Sequence, residues 1–140
     1  MLDPVRQEVI ALAHTVVVKV GTNVLTRPDG TLEPASVQAL ADQLQRLRAA
    51  GRKAALVSSG AIGAGVGRLG LGHRPNDLRQ LQACAAIGQA LLMRAYEDAL
   101  AVHDVPTAQL LLTAGDFDSR SRYLNARNTI VTLLEWGCLP

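Results

Sequence analysis

Two hydrophobic periodicities alternate along this chain. The run Thr15-Val16-Val17-Val18-Lys19-Val20 is β-branched almost throughout and predicts a strand buried on both faces, as in a parallel sheet. Val37, Leu40, Ala41, Leu44 and Leu47 then fall on one stripe of an amphipathic helix, with Pro34 suited to its first turn and Gly51 to a left-handed cap. Ala54 to Val57 reads as a second short strand, followed by a glycine-rich stretch from Ser58 to Gly72. A long helix is predicted from about Leu78 to about Val102, with Leu81, Ala85, Leu92, Ala95 and Ala99 on its stripe. Its run Ala83-Cys84-Ala85-Ala86 would let a neighbour approach closely, which makes this helix central. Val105 to Thr113 reads as a third strand, Thr113 to Arg122 as a polar loop, and Asn125 to Trp136 as a helix stopped by Gly137. Cys138-Leu139-Pro140 resembles the start of another strand. Strands separated by helix-length segments predict an α/β fold of βαβ units with a mainly parallel sheet.

Composition narrows the class without naming a function. The chain has 140 residues, 49% hydrophobic and 19% charged, a globular balance within the size of one domain. A net charge of +2 is too mild to imply a nucleic-acid or membrane partner. The apolar stretch from Val9 to Val20 is short and interrupted by His14 and Lys19, so no membrane span is expected. Asp3, Arg6 and Glu8 do not fit a signal peptide. Cys84 and Cys138 lie in apolar surroundings without metal-like spacing and read as buried free thiols. A soluble, cytoplasmic protein is the expectation.

The chemistry concentrates at two strand ends. Lys19 precedes Val20, Gly21, Thr22 and Asn23, where a parallel strand gives way to a turn. Ligands of open parallel sheets bind beyond such carboxyl ends, and an anion would suit the lysine. The plainer alternative is a lysine guarding an edge or snorkelling to water. Val57-Ser58-Ser59-Gly60-Ala61-Ile62-Gly63-Ala64-Gly65 can offer consecutive N–H groups as an anion nest, strengthened if a helix starts there. A flexible glycine turn is the alternative. Gly65-Val66-Gly67-Arg68-Leu69-Gly70 spells G-x-G-x-x-G, but a dinucleotide fingerprint should open immediately after its strand, and this one does not. Asp116, Asp118, Arg120, Arg122 and Arg127 read as a solvated or intersubunit loop. His14, His73 and His103 are scattered, Ser59 has no sequence-visible base, and no metal site is expected.

Taken together, these segments resemble the amino-terminal half of the glutamate 5-kinases, within the amino acid kinase family. The matching residues are Val16 to Thr26, Val57 to Gly65, Leu81 to Leu91, Gln109 to Thr113 and, most specifically, Asp118 to Thr129. Asn23 departs from the serine of many relatives. The resemblance implies a three-layer α/β/α sandwich and transfer of the γ-phosphoryl group of ATP, with Mg²⁺, to the side-chain carboxylate of L-glutamate, the first step of proline synthesis. By similarity Lys19 is catalytic and contacts the transferring phosphoryl group. Gly21 and Thr22 would lie against the phosphates, and Ser59, Gly60 and Ala61 would hold glutamate. It also implies a homo-oligomer and proline as feedback inhibitor. Residues 1–140 would be the glutamate-binding part of a longer kinase, inactive alone and lacking the nucleotide-binding half. Two further readings are the kinase part of a bifunctional pyrroline-5-carboxylate synthase and a non-catalytic glutamate-binding or assembly fragment.

Overall fold

The computed structural model describes residues 3–140. The chain runs α1 (Pro4–Leu12), β1 (Thr15–Val20), α2 (Thr22–Leu25), α3 (Pro34–Ala49), β2 (Lys53–Ser58), α4 (Ala61–Leu69), α5 (Leu78–Ala101), α6 (Ala114–Asp118) and α7 (Arg120–Glu135). β1 and β2 pair in parallel from Thr15↔Lys53 to Val20↔Ser58, joined by the crossover that parallel pairing demands. The α/β class with a parallel sheet stands, and with two strands among the described residues the sheet is an incomplete version of the sandwich that the resemblance implies.

One sheet face carries the core. Val20 and Ala54 cluster with Val37, Ala41 and Leu44 of α3, and with Leu92, Tyr96, Ala99 and Leu100 of α5. Val16 and Val18 lean toward that side, whereas Val17 and Lys19 are exposed. The expectation of a strand buried on both faces is therefore corrected: Val17 is 65% exposed and Val57 51%. Strand residues alternate faces, and among the described residues only one face is well covered. Tyr96 reaches back to the strand, its hydroxyl 3.0 Å from that of Ser58, and burial pushes its phenol pKa up.

Three other expectations change. The hydrophobic pattern predicts no helix before β1, yet α1 forms: Asp3 caps it by accepting from the Val5 N–H at 3.0 Å, and Pro4 occupies its first turn. Val105 to Thr113 is extended but meets only an isolated parallel bridge, Thr107↔Leu139. Leu139 donates to the Pro106 carbonyl and accepts from Ala108, while Pro140 accepts from Leu56. The Cys138–Pro140 segment thus lies between β2 and this run, and a groove of about 370 Å³ lies alongside. A ladder needs a facing backbone, and none meets Gln109 to Leu112 among the described residues. The polar loop from Thr113 to Arg122 is mostly helical, because Thr113 and Asp116 form a reciprocal capping box. Of the two free cysteines, Cys84 is buried and Cys138 only partly so.

α3 and the turn that follows α5 are also joined by a polar contact. His103 Nε2 lies 2.9 Å from Asp42 Oδ1, and Gln38 donates to the same oxygen. The bond from His103, then that from Gln38, holds the Asp42 carboxyl below its ordinary pKa. A depressed carboxylate contributes stability that is present above about pH 4 and is lost as pH falls through the depressed folded-state value. We predict that Asp42→Asn lowers the urea midpoint at about pH 6, and that its gap from wild type closes toward about pH 2. A gap independent of pH would refute this.

Candidate active site

Helix α4 was hidden by its own glycines. Each costs roughly 0.5–1 kcal/mol of helix propensity relative to alanine, so Ser58 to Gly72 reads as a loop. The structure makes Ala61–Leu69 a helix because the missing side chains are packing sites. A Cβ on Gly65 would sit 1.9 Å from the Cys84 carbonyl oxygen of α5, and one on Gly67 would sit 2.7 Å from the backbone of Gly30. Gly70 closes the helix at φ +62°, a left-handed conformation that glycine adopts without a Cβ penalty. The G-x-G-x-x-G spelling is thus two close approaches and a cap.

α4 begins at the carboxyl end of β2. Gly60 is its N-cap and supplies no side-chain cap. The first bond into the helix runs from the Ala64 N–H to the Gly60 carbonyl. Among the described residues, the N–H groups of Ala61, Ile62 and Gly63 meet no acceptor. Such donors, with the positive end of the helix dipole, attract an anion.

The second half of the site is the turn after β1. Lys19 stands opposite Val57 in the register. Its ammonium leans over the turn, since a Cβ on Gly21 would lie 4.0 Å from Lys19 Nζ. Lys19 is exposed, which removes the desolvation problem that a doubly buried strand would pose. The two halves are tied together. Thr22 Oγ1 donates to the Ser59 carbonyl at 2.8 Å, and both the backbone N–H and the hydroxyl of Ser59 donate to the Val20 carbonyl at 3.3 Å. The fold therefore brings together Lys19, Gly21, Thr22, Ser59, Gly60 and Ala61, separated by some forty positions in sequence.

A polar cavity of about 440 Å³ opens beside Thr22, bounded by Arg27, Gly63 and Arg74 among others. Arg27 is spoken for: its guanidinium grips Glu33 through two hydrogen bonds of 2.6 and 3.1 Å. That bond is the main cause holding the Glu33 carboxyl below its usual range. The pair pins the connection between α2 and α3.

The Amino acid kinase family profile matches residues 14–140. The chain belongs to the amino acid kinase family. Among its relatives, the glutamate 5-kinase of Azoarcus sp. (strain BH72) is 51% identical over 128 residues, 91% of this chain and 34% of that protein. The glutamate 5-kinase of Herminiimonas arsenicoxydans is 47% identical over 131 residues, 94% of this chain and 35% of the relative. That of Janthinobacterium sp. (strain Marseille) is 48% identical over 139 residues, 99% of this chain and 36% of the relative. The chain thus spans about a third of the length of the curated relatives it matches.

Within this amino acid kinase fold, no cluster of three His, Cys, Asp or Glu suited to a metal occurs among the described residues. The segments Lys19 to Asn23 and Ser59 to Ala61 contain no carboxylate. These residues do not fit a Mg²⁺ site of their own; Mg²⁺ usually takes one or two carboxylates together with substrate phosphates. No described helix is long and apolar enough to cross a membrane. The six residues named from the sequence lie together at the two strand ends, and the Thr22–Ser59 bond that links them carries no local signature.

Proposed function

We propose that this chain forms the acceptor-side part of a glutamate 5-kinase, which transfers the γ-phosphoryl group of ATP to the side-chain carboxylate of L-glutamate. The observation that carries this reading is the convergence of the Lys19 turn and the uncapped start of α4 at adjacent parallel strand ends. A carboxylate oxygen of glutamate attacks the γ-phosphorus, a new O–P bond forms, and the bond to the ADP oxygen breaks. The acceptor is already ionised at pH 7, so no general base has to remove a proton. The protein's work is alignment and stabilisation of charge on the transferring oxygens. Lys19 supplies a cation for those oxygens, with Gly21 and Thr22 against the phosphates. Ser59, Gly60 and Ala61 hold glutamate, with the free N–H groups at the start of α4 as its donors, since both donors of Ser59 are turned to the Val20 carbonyl. Mg²⁺ would travel with the ATP phosphates. Feedback by proline, assembly into an oligomer and a cytoplasmic setting belong to the same proposal, through the glutamate 5-kinase relatives.

Calorimetry on the 140-residue chain tests this. We predict L-glutamate binding with a Kd on the order of millimolar and no ATP-dependent acyl phosphate formation by this chain alone. Absence of any glutamate response at saturating concentrations would overturn the acceptor-site assignment. Turnover by the isolated chain would overturn the division of labour. Binding without turnover in every longer natural form would favour a non-catalytic glutamate-binding module.

A further inference from the structure

Thr22 makes two contacts with the glycine segment, through different atoms. Its hydroxyl donates to the Ser59 carbonyl at 2.8 Å. Its methyl fills the place a side chain would take on Gly63: a Cβ there would lie only 2.9 Å from Thr22 Cγ2, with Thr26 Cγ2 next at 3.5 Å. The backbone beneath it is held as well, since the Thr22 carbonyl accepts from both the N–H and the hydroxyl of Thr26 at 3.0 Å. One side chain on the turn after β1 therefore braces the first turn of α4 from both ends, at Ser59 and at Gly63.

We propose that Thr22 is a positioning residue whose side chain sets the separation between the Lys19 turn and the start of α4. This rests on reading those two segments as the transfer site. A side-chain hydroxyl committed to the Ser59 carbonyl is not free for a phosphate, so a phosphate contact by Thr22 falls to its backbone N–H. The methyl and hydroxyl act separately, which makes the two halves of the brace testable apart. Serine keeps the donor and lacks the methyl, valine keeps methyls and lacks the donor, and alanine at position 63 invades the methyl's place.

The test is a double-mutant cycle on the 140-residue chain, with amide hydrogen exchange and glutamate titration by NMR as local readouts. Gly63→Ala should lower Tm by roughly 5–10 °C. Thr22→Ser should restore at least half of that loss, because it removes the methyl that the new Cβ meets; coupling of this kind is expected of residues in contact. Thr22→Val should speed exchange at the Ser59 and Ala64 amides, which donate to the Val20 and Gly60 carbonyls, and weaken glutamate binding by roughly tenfold, a larger loss than Thr22→Ser causes because serine keeps the donor. Additive effects of Thr22→Ser and Gly63→Ala, or unchanged exchange in Thr22→Val, would overturn the brace. If the cycle couples and exchange responds while wild type ignores glutamate, the proposed function fails and the brace remains.

Discussion

Replacing Gly88 with alanine is expected to destabilise the chain by at least about 3 kcal/mol. A Cβ at Gly88 would sit 1.8 Å from the Ala61 carbonyl oxygen and 2.5 Å from the Gly65 nitrogen. Both obstacles are backbone atoms of α4, so no rotamer change relieves the overlap. The two helices must separate, and a separation that removes the clash also opens the buried contact between Gly65 and Cys84. Domains of this size are stable by only about 5–15 kcal/mol, so the loss is a large share of the total. Gly115→Ala is the control, because its nearest neighbours would be a flexible Arg122 nitrogen at 3.6 Å and a Thr113 oxygen at 3.8 Å. Urea unfolding followed by circular dichroism should leave that variant near wild type and shift Gly88→Ala strongly. Equal midpoints for Gly88→Ala and wild type would show that the helices can part without loss.

Lys19→Ala should lower kcat by about 10²–10³-fold in any form of the protein that phosphorylates glutamate, by analogy with removal of one preorganised charge-stabilising donor. The same change should leave stability within about 0.5 kcal/mol, because Lys19 is exposed and makes no ion pair among the described residues. That separation between activity and stability is the informative part. Lys19→Arg keeps the charge on a planar fork of different reach and should recover only part of the rate. Assay by ADP release, with thermal unfolding in parallel, reads both. An unchanged kcat for Lys19→Ala would return the lysine to its plainer role at an exposed strand end.

Much of the site was legible because its parts are local. A β-branched strand that carries Lys19 and gives way to Gly21, and a short strand followed by Ser59 and Gly60, both announce themselves by composition. Parallel pairing then places both carboxyl ends side by side without further information. The long helix α5 and the stripe of α3 were equally visible, since Val37, Ala41 and Leu44 keep a helical period. The Asp3-Pro4 start of α1 and the Thr113–Asp116 capping box are also local signals, of helix starts. α4 is different in kind. Its glycines lower helix propensity and are justified only by Cys84, Thr22 and the Gly30 backbone, which approach from distant parts of the chain. Burial of one face of β1 could not be read from valines alone either, because a run of valines does not say which faces find a partner.

By itself, then, the sequence determined the alternation of strands and helices, the amino acid kinase family, and the residues that stand at the two strand ends. Those follow from backbone preference, side-chain period and local motif, all short-range properties. Only the tertiary structure decided that a glycine-rich stretch is a helix, that Thr22 links the two halves, and that Lys19 stands in water over Gly21. Each depends on which backbone comes within a few ångströms of which, and such contacts exist only once the chain has folded around them.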